Sequence, residues 1–448
     1  MKGLVIDKTR GNVLKVDRHN YVKLAYHGFR PMEAHERKAM YNTNYQSLNF
    51  DSEDFSLVDT LFSLAEAYLF CQLVELKDSD KEEAKALSTK SYTQLYRDLR
   101  TAVDMCHRDG SLKKSVAANP EIYIHQDPHL KHMLEMARTS NGGRRLFLAT
   151  NSLWDYTNVV MNYLLDGKTG ADKSTDWLRY FDVVVVGCGK PNFFGSSGQL
   201  FHVDVKTGHL TNTDNGAPIV PVDEADKVEL PLQQGLDEPE GPRVFQGGSY
   251  RDLHRMLGVS SGDQVLYVGD HIYGDIVKAK RMIGWRTMLV VPELSLELEL
   301  QEQSMGLQAE IRALRRERDA LDDEIQRHEW ALQPGHVTAP GTQAHAETLA
   351  VLTRLKIRQI QLKAQHSQQL QTLHAKHHPI WGQILKTGYQ NSRFAHQVER
   401  FACLYTSHVS NLAFYSPNKT WQGRLDLCAH ELDSVVEGGG DSRPPAAR

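Results

Sequence analysis

Four apolar runs, each closed by a glycine or a polar residue, constrain this chain more than any other feature: "RLFLATNS", "FDVVVVGCGK", "QVLYVGDH" and "RTMLVVPEL", spread over residues 144–294. Continuous Val/Leu/Ile runs separated by helical segments belong to parallel strands covered on both faces, so they predict an α/β core over 131–295. In an open parallel sheet, ligands sit beyond the carboxyl ends of the strands. The polar residues that follow each run are therefore the candidates for chemistry.

Composition narrows the class. With 448 residues, 40% hydrophobic and 24% charged, the chain can bury one large core or two. A formal net charge of −4 gives no reason to invoke nucleic acid or an anionic membrane surface as the partner. Cys71, Cys106, Cys188, Cys403 and Cys428 stand singly, without a C-x-x-C pair, which argues against a disulfide framework or a structural zinc site and for a reducing, cytoplasmic setting. No leader is expected, and no window approaches the roughly 20 apolar residues of a membrane span.

The flanking regions differ in pattern. Over 1–130, short strand-like runs ("GLVID", "NVLKVD", "YVKLAYHG") mix with helical stretches at 57–76 and 91–107, an α+β pattern. Residues 195–243, rich in Gly, Pro and Asp, read as an excursion containing a hairpin in "LFHVDVKTGHLTNTD". Over 296–378, Leu307, Ile311, Leu314, Leu321 and Ile325 mark a long amphipathic helix with a coiled-coil-like seam. "QPGHVTAPGTQ" breaks it, and a Gln/Leu-rich stretch at 345–376 returns antiparallel, giving a helical hairpin. A mixed segment (379–436) and a tail expected to be disordered (437–448) complete the chain.

Four strand tips stand out: Thr150-Asn151-Ser152, Lys190, the pair Asp270 and Asp275, and Gln246-Gly247-Gly248. A small hydroxyl with free backbone N–H groups suits a phosphate, a lysine adds mobile positive charge, and two carboxylates suit a hard divalent cation. Each also has a plainer reading. Thr150-Asn151-Ser152 could cap a helix, Lys190 could be solvated, and the Asp pair could end a strand. His271 reads as packing or support, since no second His or Cys lies at metal spacing. The joint occurrence at successive tips favours a phosphoryl-transfer site.

"LFLATNS", "DVVVVGCGKPNFF" and "LYVGDHIYGDI" resemble the second, third and fourth motifs of the haloacid dehalogenase superfamily, and more narrowly those of its cytosolic purine 5'-nucleotidase branch, including IMP/GMP-preferring enzymes. "RGNVLKVDRHNYVKLAYHG" and "GWRTMLVVPEL" are similar to that branch as well, so the likeness covers about residues 3–294. It implies an α/β fold: a haloacid dehalogenase-like Rossmannoid parallel sheet with an inserted α+β cap within 1–130, joined here by the C-terminal helical hairpin. It implies that Thr150 binds phosphate with Asn151 and Ser152 beside it, that Lys190 stabilises negative charge, that Asp270 holds Mg²⁺, and that Asp275 supports the metal or orients Lys190. It also implies a purine set in the cap: Phe62 stacking on the base, with Arg100, Asp104 and His107 bonding its edge. Arg100, Asp104 and His107 do fall on one helix face, although Arg100–Asp104 could equally be a surface pair. The implied partner is a purine nucleoside monophosphate, and a homo-oligomer is expected.

The family's chemistry starts from D-x-D-x-T, whose first Asp attacks phosphorus and whose second protonates the leaving group and activates water. The sole D-x-D in this sequence is Asp78-Ser79-Asp80, which reads as a loop between two cap helices. The expectation is an active 5'-nucleotidase shortened ahead of this motif. The alternatives are a nucleotide-binding or regulatory protein without turnover, or an assembly module built on the helical hairpin.

Overall fold

The strand-like runs near the start do form strands. β1 (Leu4–Asp7), β2 (Asn12–Val16), β3 (Val22–His27) and β4 (Arg30–Pro31) make a meander, and β5 (Phe55–Val58) returns beside β1. The antiparallel order is β4-β3-β2-β1-β5. In this computed structural model the described residues are 1–421 without 43–47, 140–143, 170–173, 196, 213–242, 334–340, 389 and 417. The tail expected to be disordered, most of the 195–243 excursion and the break in the helical hairpin lie outside them.

Every residue of β1 and β2 is buried, because the sheet is covered on both faces. On one face Leu4, Ile6 and Val13 pack with Phe70, Val74 and Leu95 of two helices, Leu61–Lys77 and Tyr92–Arg108. On the other, Val5 and Leu14 meet Met32, Tyr41 and Phe50. Local chemistry sets where the two helices begin. The Thr60 side chain accepts from the Ser63 N–H at 3.1 Å, and Ser91 with Gln94 forms a capping box.

The apolar runs become β6 (Phe147–Ala149) and β7 (Val183–Val186), and the hairpin of the excursion supplies β8 (Leu200–Val203) and β9 (Leu210–Asn212). "VFQG", too short to read as a strand, is β10 (Val244–Gly247). The order is β6-β7-β10-β8-β9, with β6, β7 and β10 parallel, β8 antiparallel to β10 and β9 antiparallel to β8. The last two runs, β11 (Leu266–Gly269) and β12 (Arg286–Val290), belong to a separate ladder. A small hairpin, β13 (Lys386–Thr387) with β14 (Gln390–Asn391), precedes β15 (Leu404–Thr406), and the ladder is β11-β12-β15, all parallel. The parallel strands are thus divided, although Val183, Val185 and Phe245 share one core cluster with Tyr267 and Trp285.

The division falls between β6 and β11. Each is an edge strand, β6 pairing with β7 and β11 with β12. Their contact runs through side chains, with the rings of Phe147 and Tyr267 stacked at 6.2 Å.

The helical hairpin forms as its spacing predicts. Helices Met305–Ala331 and Gln343–His377 pack Leu321 and Ile325 against Leu352 and Leu362. Lys356–Glu329 (2.8 Å) and Arg358–Glu317 (2.6 Å) pair across the seam.

Residues 379–414 clasp the N-terminal sheet to the α/β unit. Phe394 and Val398 of the Arg393–Phe401 helix join Ile272, Ile276 and Leu289 in one cluster. Gly3 (φ 85°) lies so close that a Cβ there would stand 2.6 Å from the Phe394 Cβ. The Arg18 N–H donates to the Asn391 carbonyl (3.0 Å), and Arg393 reaches Asn20 and Asp51. Buried Lys15 donates to the carbonyls of Trp381 and Gln383.

Candidate active site

The tip of β6 is held by backbone geometry. The Thr150 N–H donates to the Val185 carbonyl (2.9 Å) and its own carbonyl accepts from Cys188 (3.0 Å), so Thr150 continues the pairing with β7. Alternation along the strand turns the Ala149 carbonyl to the opposite, unpaired edge. The Thr150 hydroxyl accepts from the Ser152 N–H (3.1 Å). Leu153 is the N-cap of the next helix, Trp154–Asp166, with no side-chain cap, so capping is not the task of Thr150, Asn151 or Ser152.

Asn151 fixes the neighbouring loop. Its Oδ1 accepts from the Lys190 N–H (2.7 Å) and its Nδ2 donates to the Lys190 carbonyl (3.0 Å). The lysine side chain then crosses toward β11. Lys190 Nζ donates to the Ala149 carbonyl (3.1 Å) and the Tyr267 hydroxyl (2.9 Å), and it pairs with Asp275 Oδ1 at 2.9 Å. Tyr267 in turn donates to Asp275 Oδ1 (3.1 Å). Burial, with Asp275 alongside, pushes the Tyr267 phenol well above its ordinary range, so it remains a donor.

Asp275 comes from a wide π-type turn, Ile272–Val277, that folds back under the tip of β11. It fits because residue 269 is glycine. A Cβ there would stand 2.6 Å from the Asp275 Cβ. Asp270 takes the other orientation: it is exposed at the strand end, and among the described residues no hydrogen bond or ion pair engages its carboxylate. No group of three or more His, Cys, Asp or Glu side chains is placed to hold a metal among the described residues. The site therefore offers one open carboxylate, Asp270, and one already bound to a lysine, Asp275. Two carboxylates, one of them already paired, are fewer oxygen ligands than a hard divalent cation takes.

A second cluster lies on the N-terminal unit. Phe62, in the first turn of the Leu61–Lys77 helix, is 62% exposed and meets the His107 ring edge-on at 6.0 Å. Arg100 pairs with Asp104 at 3.1 Å and also with the buried carboxylate of Glu66. Burial opposes the charge on Arg100, but Glu66 and Asp104 outweigh it and raise the guanidinium above its ordinary value. The two clusters are linked by Asp59, whose Oδ2 lies 3.3 Å from His271 Nδ1, next in sequence to Asp270. Burial raises the Asp59 carboxyl, with His271 and Lys2 opposing.

A protein-family model described as the 5' nucleotidase family matches residues 1–433. The chain belongs to this family. A 5'-nucleotidase domain-containing protein of Dictyostelium discoideum is 25% identical to it over 422 residues. The alignment takes in 93% of this chain, which spans 61% of the length of that relative.

For this 5' nucleotidase family member, the candidate residues fall into two sets: Thr150, Asn151, Ser152, Lys190, Asp270 and Asp275 at the strand tips, and Phe62, Arg100, Asp104 and His107 on the paired helices. Lys190 and Asp275 touch, as do Arg100 and Asp104. Three participants escaped the sequence reading. Asp59 follows the apolar run of β5, but that strand lies in the antiparallel sheet, to which the strand-tip rule for parallel sheets does not extend. Glu66 is an acid inside the apolar stretch "LFSLAEAYLF", a visible anomaly. Tyr267 lies within an apolar run and carried no signal.

Proposed function

We propose that this chain carries most of a Mg²⁺-dependent 5'-nucleotidase that hydrolyses purine nucleoside 5'-monophosphates of the IMP/GMP type to nucleoside and phosphate. The observation that carries the reading is that β6 and β11 are edge strands with no backbone pairing between them among the described residues, while Lys190 reaches from the Ala149 carbonyl of β6 to Tyr267 of β11 and Asp275 beneath its tip. One further strand, parallel to both neighbours and ending in D-x-D-x-T, would pair with the unpaired edges and deliver its two aspartates among these groups.

In that arrangement the first Asp of the added strand attacks phosphorus. An oxygen–phosphorus bond forms to the carboxylate, and the bond from phosphorus to the 5'-oxygen breaks. The second Asp protonates the departing 5'-oxygen, then takes a proton from water, whose oxygen attacks the aspartyl-phosphate and releases inorganic phosphate. Lys190, held by Asp275 and Tyr267, exchanges the Ala149 carbonyl for a phosphoryl oxygen. The Thr150 hydroxyl donates to another. Asp270 would hold Mg²⁺ together with a carboxylate of the added strand, and the chemistry Mg²⁺ would supply there is neutralisation of phosphoryl charge. Phe62 offers a face to the purine, and Arg100 and Asp104 complement a 6-oxo group and the N–H beside it.

The test compares the chain alone with the chain preceded by a strand bearing D-x-D-x-T, on IMP and GMP with Mg²⁺. The chain alone should be slower by several orders of magnitude, since losing one member of a covalent catalytic unit costs about that much. Turnover within about tenfold of the extended protein would remove the need for the added strand.

A further inference from the structure

The Gln343–His377 helix has two apolar faces, and the partner helix of the hairpin covers one of them. The inner face, with Leu352 and Leu362, is buried against Met305–Ala331. The outer face carries Leu349, Thr353, Ile357, Ile360 and Ala364 at spacings of four, four, three and four, a continuous stripe on one side of an α-helix about 22 Å long. Leu349, Ile357 and Ile360 are 51%, 54% and 67% exposed. A stripe of this kind at coiled-coil spacing has the form of a seam for another helix.

We propose that this face docks an acidic amphipathic helix of a partner protein. Charge decides the occupant. Cations flank the stripe on both sides, Arg354 and Arg358 along one edge and Lys356 and Lys363 along the other. Within the hairpin, Arg358 is satisfied by Glu317 and Lys356 by Glu329, whereas Arg354 and Lys363 find no carboxylate among the described residues. A helix with apolar a and d positions and Glu or Asp at e and g would meet one free cation on each edge. A second copy fits badly. Packed antiparallel, each edge of the stripe faces the same edge of the other chain, and packed parallel the Arg354 edge faces the Lys363 edge, so cation meets cation in either arrangement.

The experiment uses the full chain and a fluorescent synthetic helix of about three heptads, Leu at a and d, with either Glu or Lys at e and g. The Glu peptide should bind at least about tenfold more tightly than the Lys peptide. Ile357→Gln with Ile360→Gln should weaken the Glu peptide by at least about tenfold while circular dichroism shows an unchanged hairpin. Arg354→Glu with Lys363→Glu should invert the preference between the peptides, a result that a misfolded hairpin cannot give. Equal affinity for both peptides, or no inversion on charge reversal, would overturn the proposal. So would Ile360-dependent binding to anionic phosphatidylserine vesicles, or a concentration-dependent dimer abolished by the glutamine pair.

Discussion

Replacing Arg100 by Ala separates a structural ion pair from a base-reading residue, and the structure sets the size of each effect. The Glu66 side chain is 5% exposed and its partners are the Arg100 guanidinium and the Tyr96 hydroxyl at 3.3 Å. Breaking a fully buried pair costs about 3–5 kcal/mol, and leaving a buried polar group unsatisfied about 1–3 kcal/mol. Arg100 is itself 53% exposed, so water screens the pair, and Tyr96 retains one bond to the carboxylate. The lower range therefore applies. Arg100→Ala should destabilise the chain by about 2 kcal/mol in urea unfolding, and adding Glu66→Gln should restore most of that loss, because a neutral amide needs no cation. In the protein completed with the D-x-D-x-T strand, Arg100→Ala should also narrow the kcat/KM preference for IMP and GMP over AMP by about tenfold. Destabilisation below about 0.5 kcal/mol would refute the Glu66 pairing. An unchanged base ratio would place base recognition elsewhere.

Stability should also depend on pH through Lys15, whose ammonium burial brings down to about 8 from 10.5, against the pull of Glu297. The unfolded chain binds this proton more tightly, so the penalty is complete below pH 8 and disappears above pH 10.5; across that window stability should rise by about 3 kcal/mol, and Lys15→Met should flatten the rise in a pH series of urea titrations. In the strand-completed protein, Asp270→Asn should weaken Mg²⁺ binding, measured by calorimetry, together with turnover. Asp78→Asn, at the far end of the Leu61–Lys77 helix where it holds His27 and Tyr92, should leave both unchanged, and the reverse outcome would put the site at the wrong strand tip.

The apolar runs were legible because strands buried on both faces need no alternation, and Val183–Val186 shows all four residues buried. Of the two helical stretches read over 1–130, 91–107 matches Tyr92–Arg108, whereas 57–76 begins only at Leu61 because Phe55–Val58 is strand β5. The seam of the hairpin was legible from spacing, with Ile311, Leu321 and Ile325 buried. Pairing between strands was not. β12 adds β15 more than a hundred residues further on, and β10 accepts the excursion hairpin, contacts that leave no mark on local periodicity. The same limit applies to the site. Residue types at the strand tips could be read, but the tie from Lys190 to Tyr267 and the meeting of Asp59 with His271 depend on how distant elements pack.

The clasp over residues 379–414 makes the assembly of this chain a matter of timing. β1 to β5 are complete by Val58, yet Gly3, Lys15, Asp17 and Asn20 contact residues between Trp381 and Phe394. At about 5–20 residues per second, synthesis leaves the first sheet waiting roughly 20–70 s for that segment. During this interval Lys15 has neither carbonyl acceptor and the face of β1 that receives Phe394 is open to water. The nascent sheet is then a species that chaperones can engage, and substitutions in the Arg393–Phe401 helix should lower the yield of folded protein in cells more than they lower the stability of the finished molecule.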